Sequence, residues 1–204
     1  MPDIKDGVLV LYAVIGDRDI SEPLVCKARD AMVRAIGNEN VRREKYLVWK
    51  LLERAVKEHT SLDFANLQFA KTDNGQWVCP DLYFSLSHTD GVICAAVAPY
   101  PVGVDIEKIR PVKEGMLYRF LTEREIEYMD SLPQEDREVF FFESWVKKES
   151  IFKLSGGESL KPRVTETLDS GTLVTHVTID GAEYLIAVAS YDNNNCEIRF
   201  TEEI

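Results

Sequence analysis

One arrangement recurs in this 204-residue chain and constrains its fold more than any other feature. A stretch with helical spacing ends, an alternating strand follows, an Asp-Gly pair turns the chain, and an apolar strand returns. The first copy runs from a helical pattern over Pro23–Lys57, broken at Gly37-Asn38, through Leu82–His88 and Asp90-Gly91 to Val92–Ala98. The second runs from Asp136–Leu154 through Thr172–Ile179 and Asp180-Gly181 to Tyr184–Ser190. Asp-Gly between alternating segments signals a two-residue hairpin loop, because both central positions need positive φ. Two copies predict an α+β protein of two similar lobes, residues 1–101 and 102–204. Asp-Gly hairpins are common, and a chance echo is the alternative.

Around this frame, Val8–Ile15 and Cys196–Phe200 read as strands, and Phe64–Ala70 with Gln76–Cys79 as extended pieces around Asp73-Asn74-Gly75. Thr122 followed by Glu125 predicts a capped helix start. His59 is expected at the surface, His176 as structural, and Asn193-Asn194-Asn195 as a turn.

Composition narrows the function. Hydrophobic residues make up 45% and charged residues 29%, which excludes a disordered chain. A net charge of −11 disfavours a nucleic-acid binder, which needs a positive field. The apolar runs are too short to cross a bilayer, and no basic segment followed by an apolar core opens the chain, so a cytoplasmic protein is expected. Cys26, Cys79, Cys94 and Cys196 form no CxxC pair, so structural zinc is not expected.

Three clusters carry chemistry. In Gly103-Val104-Asp105-Ile106-Glu107, strand alternation projects Asp105 and Glu107 to one face. Two adjacent carboxylates repel unless a cation or shared proton relieves them, and oxygen ligands without His or Cys suit Mg²⁺, with Mn²⁺ possible. A solvated strand face is the plainer reading. In Trp145-Val146-Lys147-Lys148-Glu149-Ser150-Ile151-Phe152-Lys153, Trp145, Glu149 and Lys153 share a helix face amid aromatic residues. That neighbourhood suggests a cleft handling phosphate and metal together rather than surface decoration. In Phe84-Ser85-Leu86-Ser87-His88, adjacent Ser87 and His88 point to opposite strand faces and no nucleophile elbow is present, so a serine hydrolase is disfavoured. His88 stands at a strand end, able either to reach a ligand or to serve as a hydrogen-bonded structural residue.

The order of these three blocks resembles the 4′-phosphopantetheinyl transferase superfamily, specifically its Sfp-like (surfactin synthetase-activating) branch. The resemblance implies two α+β lobes related by a pseudo-twofold, with the active site between them. It also implies that Asp105, Glu107 and Glu149 hold Mg²⁺ against the pyrophosphate of coenzyme A, and that Glu149 takes the proton of a carrier-protein serine. Lys153 and His88 would contact phosphate oxygens, with Ser87 beside them and Arg42 and Lys45, with Arg43 as a third, as the N-terminal basic positions. The implied partners are coenzyme A and an apo acyl or peptidyl carrier protein, with a monomer sufficient. Two departures stand out. A Gly-Lys-Pro segment of the family is replaced by Asn74-Gly75-Gln76-Trp77, and the basic positions match only loosely. The face of Met116, Leu117, Phe120 and Leu121, flanked by Lys113, Arg119 and Arg124, is a candidate carrier platform or an ordinary core face. The competing functions are a coenzyme A or carrier binder without turnover, and another Mg²⁺-dependent enzyme acting on phosphates.

Overall fold

In chain order the elements are β1 (Val8–Val14), α1 (Lys27–Arg34), α2 (Glu39–His59), β2 (Ala70–Lys71), β3 (Trp77–Val78), β4 (Tyr83–Thr89), β5 (Val92–Ala98) and β6 (Val102–Lys108), followed by α3 (Glu114–Phe120), α4 (Glu123–Ser131), α5 (Arg137–Leu154), β7 (Leu173–Ile179), β8 (Ala182–Ser190) and β9 (Cys196–Phe200). The computed structural model describes residues 4–156, 161–192, 195–202 and 204.

Side-chain alternation sets the layers. From β1 and β5, Leu9, Leu11, Ala13, Ile93, Ala95 and Val97 pack with α2 residues such as Trp49 and Leu52. Their intervening neighbours, including Val10, Cys94 and Ala96, meet Val104, Ile106, Ile186 and Val188 of the other sheet. On that sheet's far side, Leu185 and Ala187 join Phe141 and Val146 of α5. The result is helix, sheet, sheet, helix, and it explains why β5 is buried along its whole length.

The sheets have strand orders β4-β5-β1-β9 and β6-β8-β7, with β2 and β3 forming a separate pair. Each lobe repeats one pattern: a lone strand, a long helix, then a hairpin whose second strand pairs antiparallel with the lone strand. Thus β5 lies beside β1 and β8 beside β6. The loop residues Asp90, Gly91, Asp180 and Gly181 all have positive φ, between 41° and 80°. This is the mirror-image turn that matches strand twist.

Three features differ from the sequence expectation. The lobe division is crossed by β9, which runs parallel to β1 with Val10 opposite Ile198. Phe64–Asn66 forms a 3₁₀ turn rather than a strand, capped by Asp63 accepting from the Ala65 N–H. His59 is buried, because the N-terminal segment covers it: Lys5 N–H donates to its carbonyl oxygen (2.9 Å), and its Nε2 lies 3.1 Å from the Gly7 carbonyl oxygen. Asn193 and Asn194, expected above to form part of a turn, lie outside the described residues. Among the described residues no helix is long and apolar enough to cross a membrane.

Candidate active site

Close packing of α5 on β6 builds the acidic side of the site. A Cβ at Gly103 would run into the Ser150 carbonyl oxygen and stand 2.6 Å from Leu154 N, so only glycine lets the helix lie this near the strand. On the same face as Gly103, Asp105 and Glu107 therefore stand near the face of α5 that carries Trp145, Glu149 and Lys153. All five line one cleft of about 1060 Å³. Lys153 Nζ donates to Asp105 Oδ1 (2.7 Å) and to the Val104 carbonyl oxygen (2.9 Å). Its third N–H can turn toward a ligand.

The other lobe supplies β4. Ser87 Oγ–H donates to Asp105 Oδ1 (2.7 Å), and Thr89 Oγ1–H donates to Glu107 Oε2 (3.0 Å). Ser87, expected beside the phosphates, thus spends its proton on a carboxylate while still lining the cleft. His88 points the opposite way, as alternation requires. Its Nε2 lies 2.6 Å from Lys45 Nζ, and its Nδ1 lies 3.6 Å from Glu44 Oε2. An ammonium can only donate, so Nε2 accepts and Nδ1 carries the ring proton. Burial first, then the charges of Lys45, Lys153 and Arg29, hold the imidazole neutral, with its pKa lowered to about 4.

Arg29 went unnoticed in the sequence. Its guanidinium sits over Trp49 (5.3 Å) and Trp77 (5.8 Å), donates to the Lys45 carbonyl oxygen (3.0 Å), and leaves a buried Nε without a partner. Cation–aromatic stacking draws on rings remote in the chain, which leaves no local signature. Gln76, within the Asn74–Trp77 stretch noted above as a departure from the resembled family, bridges the cleft by donating to the Lys153 carbonyl oxygen (3.1 Å). Arg42 lies apart: its guanidinium donates to the Ile36 carbonyl oxygen (3.2 Å), and the cleft lining omits it.

The cleft is therefore divided. Arg29, Lys45 and His88 form a cationic and polar end, Asp105, Glu107 and Glu149 an acidic end, and Lys153 stands between. Burial and the Asp105 charge push the carboxyls of Glu107 and Glu149 above the usual range. Lys148, next to Glu149, turns about 100° away and is fully buried. It pairs with Glu125 (2.7 Å) and donates to the Pro162 and Thr165 carbonyl oxygens, tying the segment after α5 to the capping box of α4. That role is structural. Leu117 of α3 and Leu121 just after it are core residues, and Phe120 meets Trp145 edge to face (4.5 Å between ring centres). Met116 and Tyr118 are the apolar side chains that α3 leaves exposed.

Residues 101–195 match the sequence model of the 4′-phosphopantetheinyl transferase superfamily, a stretch that includes both the β6 carboxylates and α5. Over that stretch the chain is similar to that superfamily. It is 34% identical over 109 residues to the 4′-phosphopantetheinyl transferase psf-1 of Bacillus pumilus, covering 52% of this chain and 47% of the relative. It is 29% identical over 157 residues to the 4′-phosphopantetheinyl transferase ffp of Bacillus subtilis, covering 72% and 70%. To the 4′-phosphopantetheinyl transferase HetI of Nostoc it is 30% identical over 125 residues, covering 54% and 53%. The matched part thus spans about half the length of psf-1 and of HetI.

The donor set of the cleft fits a hard divalent cation. It is all carboxylate oxygen, and Asp105 Oδ2 is buried with no hydrogen-bond partner. A cation there would satisfy that oxygen and relieve the repulsion felt by Glu107 and Glu149. Among the described residues, as the side chains stand, no three His, Cys, Asp or Glu already enclose a common point.

Proposed function

We propose that this chain transfers the 4′-phosphopantetheine arm of coenzyme A to a serine hydroxyl of an apo acyl or peptidyl carrier protein. One observation carries the reading. A single cleft of about 1060 Å³ sets a cationic end against a carboxylate end, as a diphosphate bound beside a divalent ion requires. The matched relatives, named as transferases of this kind, support it.

Asp105, Glu107 and Glu149 would hold Mg²⁺, which neutralises charge on the pyrophosphate when bound. Lys153 reaches the pyrophosphate with its remaining N–H while fixed by Asp105 and the Val104 carbonyl. Arg29, Lys45 and neutral His88 receive the phosphate at the nucleotide end. Glu149, made more basic by burial and by Asp105, accepts the serine proton directly or through water. The serine oxygen then bonds to the β-phosphorus, the bond from that phosphorus to the bridging oxygen breaks, and 3′,5′-ADP leaves with the electron pair. Alignment and charge neutralisation suffice for such a transfer, so no covalent enzyme intermediate is needed. The exposed Met116 and Tyr118 of α3, with Arg119 beside them, offer the carrier an apolar and cationic contact.

Incubation with coenzyme A, Mg²⁺ and an apo carrier domain tests the reading by intact-protein mass spectrometry. The expected result is a gain of one phosphopantetheine arm, lowered at least about 100-fold in rate by Glu149→Gln, which removes both a ligand and the base. An unchanged carrier mass across several carrier types overturns it.

A further inference from the structure

β4 and β6 are edge strands of different sheets, and no backbone ladder joins them. Side-chain hydroxyls stand in for the ladder. The N–H of Val104 donates to Ser85 Oγ (3.0 Å) and the N–H of Ile106 to Ser87 Oγ (3.3 Å). The same strand then returns protons: Ser87 Oγ–H goes to Asp105 Oδ1 and Thr89 Oγ1–H to Glu107 Oε2. Alternate residues of β4 thus keep step with successive pairs of β6, in parallel register. All three hydroxyl residues are buried, at 7%, 6% and 8% exposure, so water competes little for these bonds.

We propose that Ser87 and Thr89 are positioning residues, whose hydroxyls orient the Asp105 and Glu107 carboxylates for a divalent cation. A hydroxyl has one proton, and here it is committed to one carboxylate oxygen. Asp105 Oδ1 takes the proton of Ser87 and one of Lys153, which directs the partnerless Oδ2 away from them. Glu107 receives one donor at Oε2, which restricts a side chain with three rotatable bonds. Donors behind metal-binding groups fix ligand orientation, and losing one typically weakens metal affinity by about 10–100-fold. The lobe that holds the nucleotide end thereby sets the geometry of carboxylates carried by the other lobe. This inference rests on the metal-dependent transfer proposed above.

The test is Mn²⁺ binding to the full chain, read from the free-ion electron paramagnetic resonance signal, with no substrate present. Wild type, Thr89→Val, Thr89→Ser, Glu107→Gln and Glu149→Gln are compared. Thr89→Val keeps the side-chain shape and removes the donor, so its Kd rises about tenfold or more, while Thr89→Ser stays near wild type. Should Val not be accommodated, Thr89→Ala reads the same loss. If the variant without a hydroxyl binds Mn²⁺ like wild type while Glu107→Gln binds poorly, the positioning role is wrong and the metal reading stands. If wild type binds no Mn²⁺, or Glu107→Gln and Glu149→Gln bind as wild type does, the metal reading itself fails and this inference falls with it.

Discussion

His88 shows how much a single ring depends on its surroundings. Burial and three neighbouring cations keep it neutral, with a pKa of about 4 against 6.5 for a free imidazole. Between those values the unfolded chain binds the proton and the folded one does not, so this residue makes stability rise with pH across the window. The contribution is complete above about 6.5 and is lost as pH falls through about 4. Glu107 and Glu149, whose carboxyls are pushed upward, slope the other way, so the comparison must be made between variants. Denaturation of wild type and His88→Gln should give a stability difference that shifts in favour of wild type as pH rises across the window. A difference independent of pH would contradict a neutral, cation-flanked imidazole. The sequence pointed to His88 because it sits at the end of a strand. It could not point to Arg29, whose partners Trp49 and Trp77 are assembled only by the fold.

At the scale of elements, the pairing of β6 with α5 decides the site. The carboxylates were legible from alternation, and the face of Trp145, Glu149 and Lys153 from helical spacing, because both periods are local. Lys148 was separable from Glu149 for the same reason, though its buried bond to Glu125 was not foreseeable from spacing. What spacing could not show is how near the helix lies to the strand, which Gly103 governs. Gly103→Ala would force α5 outward or strain both elements, at a cost of about 1–3 kcal/mol. Calorimetry should show a lowered Tm, and Mn²⁺ affinity should drop because Glu149 and Lys153 move with the helix. Wild-type values for both would mean that the packing is looser than the geometry implies. The carrier face proposed on α3 was only half readable: amphipathic spacing marked Leu117 and Leu121, and these are core residues.

The whole molecule is two copies of one motif, held together by the hydroxyl contacts of β4 and β6, the apolar layer between the sheets, and the strand that crosses back. The echo of helix and Asp-Gly hairpin revealed the repeat, but no local pattern could assign β9 to the first sheet, since parallel pairing with β1 joins opposite ends of the described chain. The crossing is reinforced by the Thr201 N–H donating to the Tyr12 carbonyl oxygen (2.9 Å) and by an Arg199–Glu58 ion pair to α2. Ending the chain after residue 195 should lower Tm by roughly 2–4 °C for each kcal/mol lost and speed amide exchange in β1. Unchanged exchange there would show that β9 is dispensable to the sheet. The crossing also bears on biosynthesis. A ribosome adding about 5–20 residues per second completes β1 some 10–40 s before residue 200 is made. Throughout that interval the nascent chain carries an apolar strand with at least one flank bare, and it depends on chaperones, or on its own later half, to keep neighbours from seizing it.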